Sequence, residues 1–423
     1  MAALLWLKNK TQRLLQIDIG YFLKGGFWIT FDNFINTVIA FLLGIVLTKL
    51  FAPSDYGTYR YIFSILGMLQ IFVFGGMNSA VTQAVARGEE GAFKKVVNFR
   101  LRYSFIFISA AFIVAFYYFY NKNFQISYSL IALGLCYPIS SALSTYQAFL
   151  QGKKEFRYSA LISTISQTIS TLLIIFFLFI TKKVFFVVLT YSLVNLIINA
   201  YFFWKITNKL KPTSANGEGA VNYGKKLTFL QLFGVVAQQL DKIILFNFWG
   251  PAVLANYTIA QFFPDYIYSF LKSLSDLLIP KASSMKFIKI SAFFYKRILQ
   301  SLLIGTFISV SYIVIAPTLF HFLFQKYIDM SFYSQLLSFN ILLALVNGFI
   351  NSIFVSQKLI KSIYASQIIS GFIRIILFTI MGISGGLLGI LIADISSRTI
   401  GTFLNITLWE LEKKYQNSLS TKI

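Results

Sequence analysis

Long unbroken apolar runs alternate with short polar stretches along the whole chain, at the spacing that membrane-spanning helices require. A run such as Leu172 to Ile180 lacks the alternating polar positions of a transmembrane β-barrel, so the spans are helical. At about 20 residues per span, the pattern predicts six helices in residues 25–50, 61–86, 103–120, 127–150, 158–180 and 184–204. A polar stretch at 206–226 follows, and then six more in residues 227–248, 257–280, 298–319, 334–357, 363–381 and 387–409. The expected fold is an all-α polytopic membrane protein of about twelve transmembrane helices in two six-helix lobes, residues 1–205 and 227–410, around a central cavity. A linker at 206–226 joins the lobes and a tail occupies 411–423.

Composition agrees: of 423 residues 57% are hydrophobic, 18% aromatic and only 12% charged, with mean hydropathy +0.71. Twelve spans leave no room for a soluble catalytic domain, so no soluble enzyme is expected. The single cysteine, Cys136, excludes an internal disulfide and a thiolate metal site. The single histidine, His321, falls at a predicted membrane edge, where it serves structure or proton transfer. No apolar leader with a small-residue cleavage site precedes the first span, which is expected to stay as its own anchor.

The net charge of +23 is mainly a topology signal, because basic residues accumulate in cytoplasmic loops. Placing both termini inside the cell gathers Lys8, Lys10, Arg13 and Lys24, then Lys94, Lys95, Arg100 and Arg102, then Lys205, Lys209, Lys211, Lys225 and Lys226 on the cytoplasmic side. These cations are dispersed over several short segments with no nucleic-acid-binding motif, so no nucleic-acid partner is expected. Within the linker, residues 219–226 come within one residue of a phosphate-cradling loop, but Lys226 stands where Ser or Thr would hold magnesium. No ATP hydrolysis follows from it.

An internal repeat supports the six-plus-six division. Pro53 and Tyr59 after the first span match Pro251 and Tyr257 after the seventh, each pair 198 residues apart, with Gly57 opposite Ala255.

The segments Leu47 to Tyr59, Asp241 to Leu245 with Gly250-Pro251, and Gly385 to Gly389 resemble those of the bacterial polysaccharide (O-antigen, or oligosaccharide) flippases. That family belongs to the superfamily of multidrug, oligosaccharidyl-lipid and polysaccharide exporters, and the resemblance covers nearly the whole chain. It implies a V-shaped pair of helical bundles that moves undecaprenyl-pyrophosphate-linked sugar units across the cytoplasmic (inner) membrane for lipopolysaccharide-type surface polysaccharide. A polysaccharide polymerase alongside is left open, as is coupling to protons or sodium, and no other cofactor is expected. Drug exporters of the same superfamily are the alternative, and a membrane glycosyltransferase or polymerase ranks below both. The resemblance weakens toward the lipid II flippases, which place arginines on their first two helices inside the cavity, whereas the middle of the second span here offers Gln70 and Asn78.

A pyrophosphate and a glycan need cations and hydrogen-bonding walls at membrane depth, where each unpaired polar group costs several kcal/mol. Asp265, Lys272 and Asp276 stand at i, i+7 and i+11 and share one helical face. Lys272 is therefore a candidate for the pyrophosphate, or else an i, i+4 partner of Asp276. Asp394 and Arg398 have the same i, i+4 spacing, and the pairing is the favoured reading there. Arg374 has no local partner and serves as a substrate contact or a pair between lobes. Asp32 suits ion coupling or a structural hydrogen bond. Asp241 and Lys242 are adjacent, about 100° apart on their helix, so they are not expected to pair, and Asp241 points inward. Lys24, Lys49 and Arg60 lie near span ends, where snorkelling toward headgroups competes with substrate binding. The candidates are thus the cations Lys272, Lys242, Arg374, Arg398, Arg60, Lys49 and Lys24, the ion-coupling carboxylates Asp32, Asp241, Asp265, Asp276 and Asp394, and the glycan contacts Gln70, Asn78, Gln238 and Asn347. No metal site is predicted.

Overall fold

Two prolines organise both halves. Each starts a helix immediately after a long one has ended, where its missing N–H is not needed and its fixed φ is already helical. The computed structural model describes residues 19–213, 217–276, 278–283, 285 and 287–420. The first half contains α1 (Ile19–Leu50), α2 (Pro53–Leu69), α3 (Gly76–Ala86), α4 (Gly91–Arg102), α5 (Ser104–Tyr120), α6 (Phe124–Leu143), α7 (Tyr146–Gly152), α8 (Phe156–Ile180) and α9 (Val184–Leu210). The second contains α10 (Glu218–Ile244), α11 (Pro251–Asp276), α12 (Leu278–Ser283), α13 (Phe287–Leu323), α14 (Met330–Leu337), α15 (Phe339–Ser356) and α16 (Ile360–Ser420). Gly250, at φ +89°, takes the left-handed turn into Pro251 that a side chain would strain.

Eight helices are long and apolar enough to cross a membrane among the described residues, or ten when two bent pairs are each taken as one span. The two that complete the predicted twelve have identifiable reasons for standing apart. Helix α11 carries the charges Asp265, Lys272 and Asp276. Helix α16 is not straight: Gly386 has φ 55° and ψ −131°, and residues on its two sides meet across the bend. Arg374 reaches Asp394 at 3.3 Å and Ser362 donates to Glu412 at 2.7 Å, which makes α16 an antiparallel hairpin of two arms. Phe116, Phe179, Phe307 and Val314 are 68–74% exposed, the inverse of a soluble surface and the signature of side chains solvated by lipid. The protein is a multi-pass membrane protein.

The halves meet where α2 and α3 lie against α10 and α11. A Cβ built on Gly57 would fall inside the carbonyl group of Pro251, and one on Gly76 would lie 2.6 Å from the Thr228 nitrogen. These small residues let backbones approach as side chains would not. The two members of the sequence repeat therefore pack against each other. Beside them the Tyr61 and Phe246 rings stack with centroids 3.7 Å apart, Asn247 donates to the Tyr61 hydroxyl at 3.0 Å, and Tyr61 pairs with Tyr118. Lys326 donates to the carbonyls of Lys49 and Phe51 at 2.7 and 3.1 Å, closing the C-terminus of α1 from the other half.

Several sequence expectations are corrected. The polar stretch at 206–226 is mostly helical, because α9 runs on to Leu210 and α10 begins at Glu218, so the phosphate-loop-like residues lie on a helix. Near it, Glu90 pairs with Lys153 and accepts from the Thr213 N–H at 3.2 Å. The hydrogen bond from Lys153 holds its carboxyl below the ordinary range. The expected tail continues α16 to Ser420. Arg100, expected in a cytoplasmic segment, is 4% exposed. Its guanidinium bonds the Val73 carbonyl at 2.8 Å, Asn78 Oδ1 at 2.9 Å, Thr145 at 2.9 Å and Ser141 at 2.6 Å, all of them neutral acceptors. Those bonds span the break between α2 and α3, a helix pair bent by 45°.

Candidate functional site

Between the halves, beside the Gly57–Pro251 crossing, lies a cavity of about 730 Å³ walled by α1, α2 and α11. Helix α1 contributes Asn33, Asn36 and Thr37, and α11 contributes Thr258, Gln261, Asp265, Ser269 and Lys272. On α11 these positions recur every three to four residues and so form one face. Pro264 lies within that run and removes the N–H that would bond to Ala260. From α2 come Tyr56, Tyr59 and Arg60.

The cavity cations are Arg60 and Lys272. The Nε of Arg60 is buried with no hydrogen-bond partner among the described residues, a donor placed in a polar cavity and left unused. Arg60 thus does not snorkel: the second half covers α2 and turns this end of the span into an interior wall. Lys272 is exposed to the cavity, while the Asp276 side chain proposed as its partner lies outside the described ones. The carboxylate on this wall is Asp265, whose side chain is 55% exposed and 3.8 Å from the Arg398 guanidinium.

Asp265 is the first member of a chain of ion pairs. Arg398 contacts Asp265 and, through Nε, both oxygens of Asp394 at 3.2 Å. Asp394 is fully buried and also accepts from Asn340 at 2.7 Å and from Arg374 at 3.3 Å. Arg374 therefore pairs inside its own half and not across the halves, because the α16 hairpin folds Asp394 back beside it. Arg374 also lies 4.7 Å over the Phe378 ring. Asp241 is 1% exposed and does pair with Lys242, at 3.3 Å. The rotation between adjacent residues was the wrong criterion, since the lysine stem folds back far enough to reach the Gln238 carbonyl at 3.3 Å as well. Tyr257, the repeat counterpart of Tyr59, donates to Asp241 at 2.7 Å.

Other candidates lie elsewhere. Asp32 accepts from Asn36 at 2.7 Å and Thr164 at 3.0 Å, tying α1 to α8. Asn78 is held by Arg100, and Asn347 donates to Thr402 at 2.8 Å and accepts from Asn405 at 3.3 Å; neither lines the central cavity. Gln70, exposed at the end of α2, does not line it either. Lys49 borders a small pocket beside Lys326. The Lys24 side chain lies outside the described ones. Gln238 lines a separate cavity in the second half.

A second, mainly apolar cleft of about 320 Å³ between α1 and α11 adjoins the central cavity and shares Asn33, Thr37, Tyr266 and Ser269 with it. Its other walls are Phe34, Val38, Phe41, Phe263, Ile267 and Phe270, with Thr30.

Solved transporters share this arrangement of helices. The chain is similar to a lipid II flippase, MurJ, in an inward closed conformation, at 14% identity over 89% of this chain and 86% of that one, with a TM-score of 0.67. It is similar also to an inward-facing multidrug resistance MATE family transporter of the MOP superfamily, at 13% identity, 90% and 96% coverage and a TM-score of 0.62. A MOP superfamily transporter from Pyrococcus furiosus matches at 12% identity, 92% and 96% coverage and a TM-score of 0.59. At these identities the likeness establishes the fold. No curated protein matches the chain. Residues 22–286 match the family described as polysaccharide biosynthesis protein, and the chain belongs to that family.

Proposed function

We propose that the protein is a flippase that carries undecaprenyl-pyrophosphate-linked oligosaccharide units across the cytoplasmic membrane by alternating access, supplying surface polysaccharide of the O-antigen type. The observation that carries this reading is the pairing of two environments in one site. A polar cavity with two cations, amides and hydroxyls opens into an apolar cleft lined by phenylalanines. That is the division of an amphiphile with an anionic headgroup: Arg60 and Lys272 suit the pyrophosphate, the amides suit sugar hydroxyls, and the cleft suits the isoprenoid chain. The cavity offers two cations against Asp265, a balance that disfavours the cationic drugs of the alternative reading. Membership of the polysaccharide biosynthesis family and the fold shared with a lipid II flippase support the same class. Asp265, the carboxylate facing the cavity, is the place for proton or sodium coupling. The basic residues of the linker end support a cytoplasmic position for that end.

In a deletion strain, lipid-linked oligosaccharide should accumulate on the cytoplasmic leaflet and surface polysaccharide should disappear. Complementation by Lys272→Arg should restore part of it. Lys272→Gln, and Arg60→Gln independently, should lower flux about 10- to 100-fold with membrane insertion intact by blot. A deletion strain that keeps its polysaccharide and becomes sensitive to cationic dyes would overturn the flippase reading in favour of drug export.

A further inference from the structure

A second cavity, of about 380 Å³, lies within the C-terminal half between α10 and the first arm of α16. Its polar walls are Gln231 and Gln238 on α10 and Gln367, Ser370 and Arg374 on α16. The volume is at the small end of the about 300–1,000 Å³ found for small-molecule sites.

Two features show that the space is kept open. Gly234 lies inside α10, where glycine costs about 1 kcal/mol relative to alanine, yet a Cβ built on it meets nothing within 4 Å. Opposite it, a Cβ on Gly371 would make only ordinary contact, with Phe233 at 3.7 Å. Packing does not require glycine at either position. Moreover, the side chains of Gln231, Gln238, Gln367 and Ser370 have no hydrogen-bond partner among the described residues. Unpaired amides at membrane depth are costly unless water or a ligand satisfies them.

The chemistry of the walls narrows the ligand. The carboxylate nearest this site, Asp394, is already shared by Arg374, Arg398 and Asn340, and none lines the cavity itself, so a cation finds no counter-charge. Arg374 keeps an unused buried donor at Nε, but its charge is already balanced by Asp394 at 3.3 Å, so an anion would add a second negative charge against one guanidinium. An apolar ligand would leave three amides unpaired. An amide donates and accepts in the same plane, which matches a hydroxyl that does both. We propose that this cavity is a subsite for a neutral sugar, taking a hydroxyl-rich unit of the transported glycan away from the pyrophosphate; the assignment of the sugar to a transported glycan rests on the flippase reading. The ion chain Asp265–Arg398–Asp394–Arg374 runs from the wall of the central cavity to the wall of this one.

The test uses the full chain in nanodiscs, with saturation-transfer NMR on methyl glycosides of glucose, galactose, mannose, rhamnose and N-acetylglucosamine. At least one glycoside should give a signal that survives Lys272→Gln. Gly234→Leu, which fills the space without meeting backbone, should abolish it, and Gln238→Leu with Gln367→Leu should weaken binding about tenfold. No signal from any glycoside, or a signal unchanged in both variants, would overturn the subsite. In cells, Gly234→Leu should lower surface polysaccharide when the glycan is the source. Sugar binding that persists while deletion of the protein leaves surface polysaccharide intact would keep the subsite for a free sugar and remove the flippase reading alone.

Discussion

Asp394→Leu is expected to be among the most damaging single substitutions in the protein. The carboxylate has no solvent exposure and balances two guanidinium groups, Arg374 and Arg398, with Asn340 completing its hydrogen bonds. Removing it leaves two cations at membrane depth, of which only Arg398 has a second carboxylate within reach, at 3.8 Å. Breaking a buried pair in this way costs about 3–5 kcal/mol, a large share of the about 5–15 kcal/mol that stabilises an ordinary domain. The yield of monodisperse protein in detergent and its thermal midpoint should both collapse. The combination Arg374→Met, Asp394→Leu and Arg398→Met should recover the midpoint, because no uncompensated charge then remains. Recovery would show that the cluster is neutral by construction and that its lesion is electrostatic. A single Asp394→Leu variant that melts like the parent would show that lipid or water, and not Asp394, carries those charges.

How much of this was legible in the sequence depended on whether a residue's surroundings were local. The spacing of Asp265 and Lys272 on one helix placed both on a common face, and both line the cavity. The i, i+4 spacing of Asp394 and Arg398 identified their contact for the same reason. The break between the spans predicted at 363–381 and 387–409 is where α16 folds into its hairpin. Arg60 was harder to place, because its position near the start of a span resembles that of a snorkelling residue. It becomes interior only when the second half packs over α2, 198 residues away in the repeat. Arg100 was obscured by Lys94, Lys95 and Arg102 around it, since composition does not separate a buried cation from exposed neighbours. The groups that hold it come from residues 73 to 145, a constellation no local window contains. The second cavity had no sequence signal beyond the glutamines themselves, because an open volume is a property of packing.

Gly57→Leu should uncouple the two halves while leaving each folded. In the structure α2 and α11 cross with Gly57 against the Pro251 carbonyl, so closely that any Cβ there must displace backbone. A flexible side chain could move aside, but the carbonyl is fixed by the helix it begins. The displacement must therefore open the crossing itself. The Tyr61–Phe246 stack and the Asn247–Tyr61 hydrogen bond depend on that approach, and so does the reach of Lys326 to the end of α1. Replacing Gly57 with Ala, Val and then Leu should produce a graded loss. In a Cys136→Ser background, a cysteine pair at 61 and 246 bridged by a short bifunctional reagent should cross-link strongly in the parent, less with Gly57→Ala and hardly at all with Gly57→Leu. Transport should fall in the same order while protein yield changes little, because the cavity walls from α1, α2 and α11 converge only when this end is shut. Undiminished cross-linking in Gly57→Leu would show that the crossing yields elsewhere and that this contact does not hold the halves together.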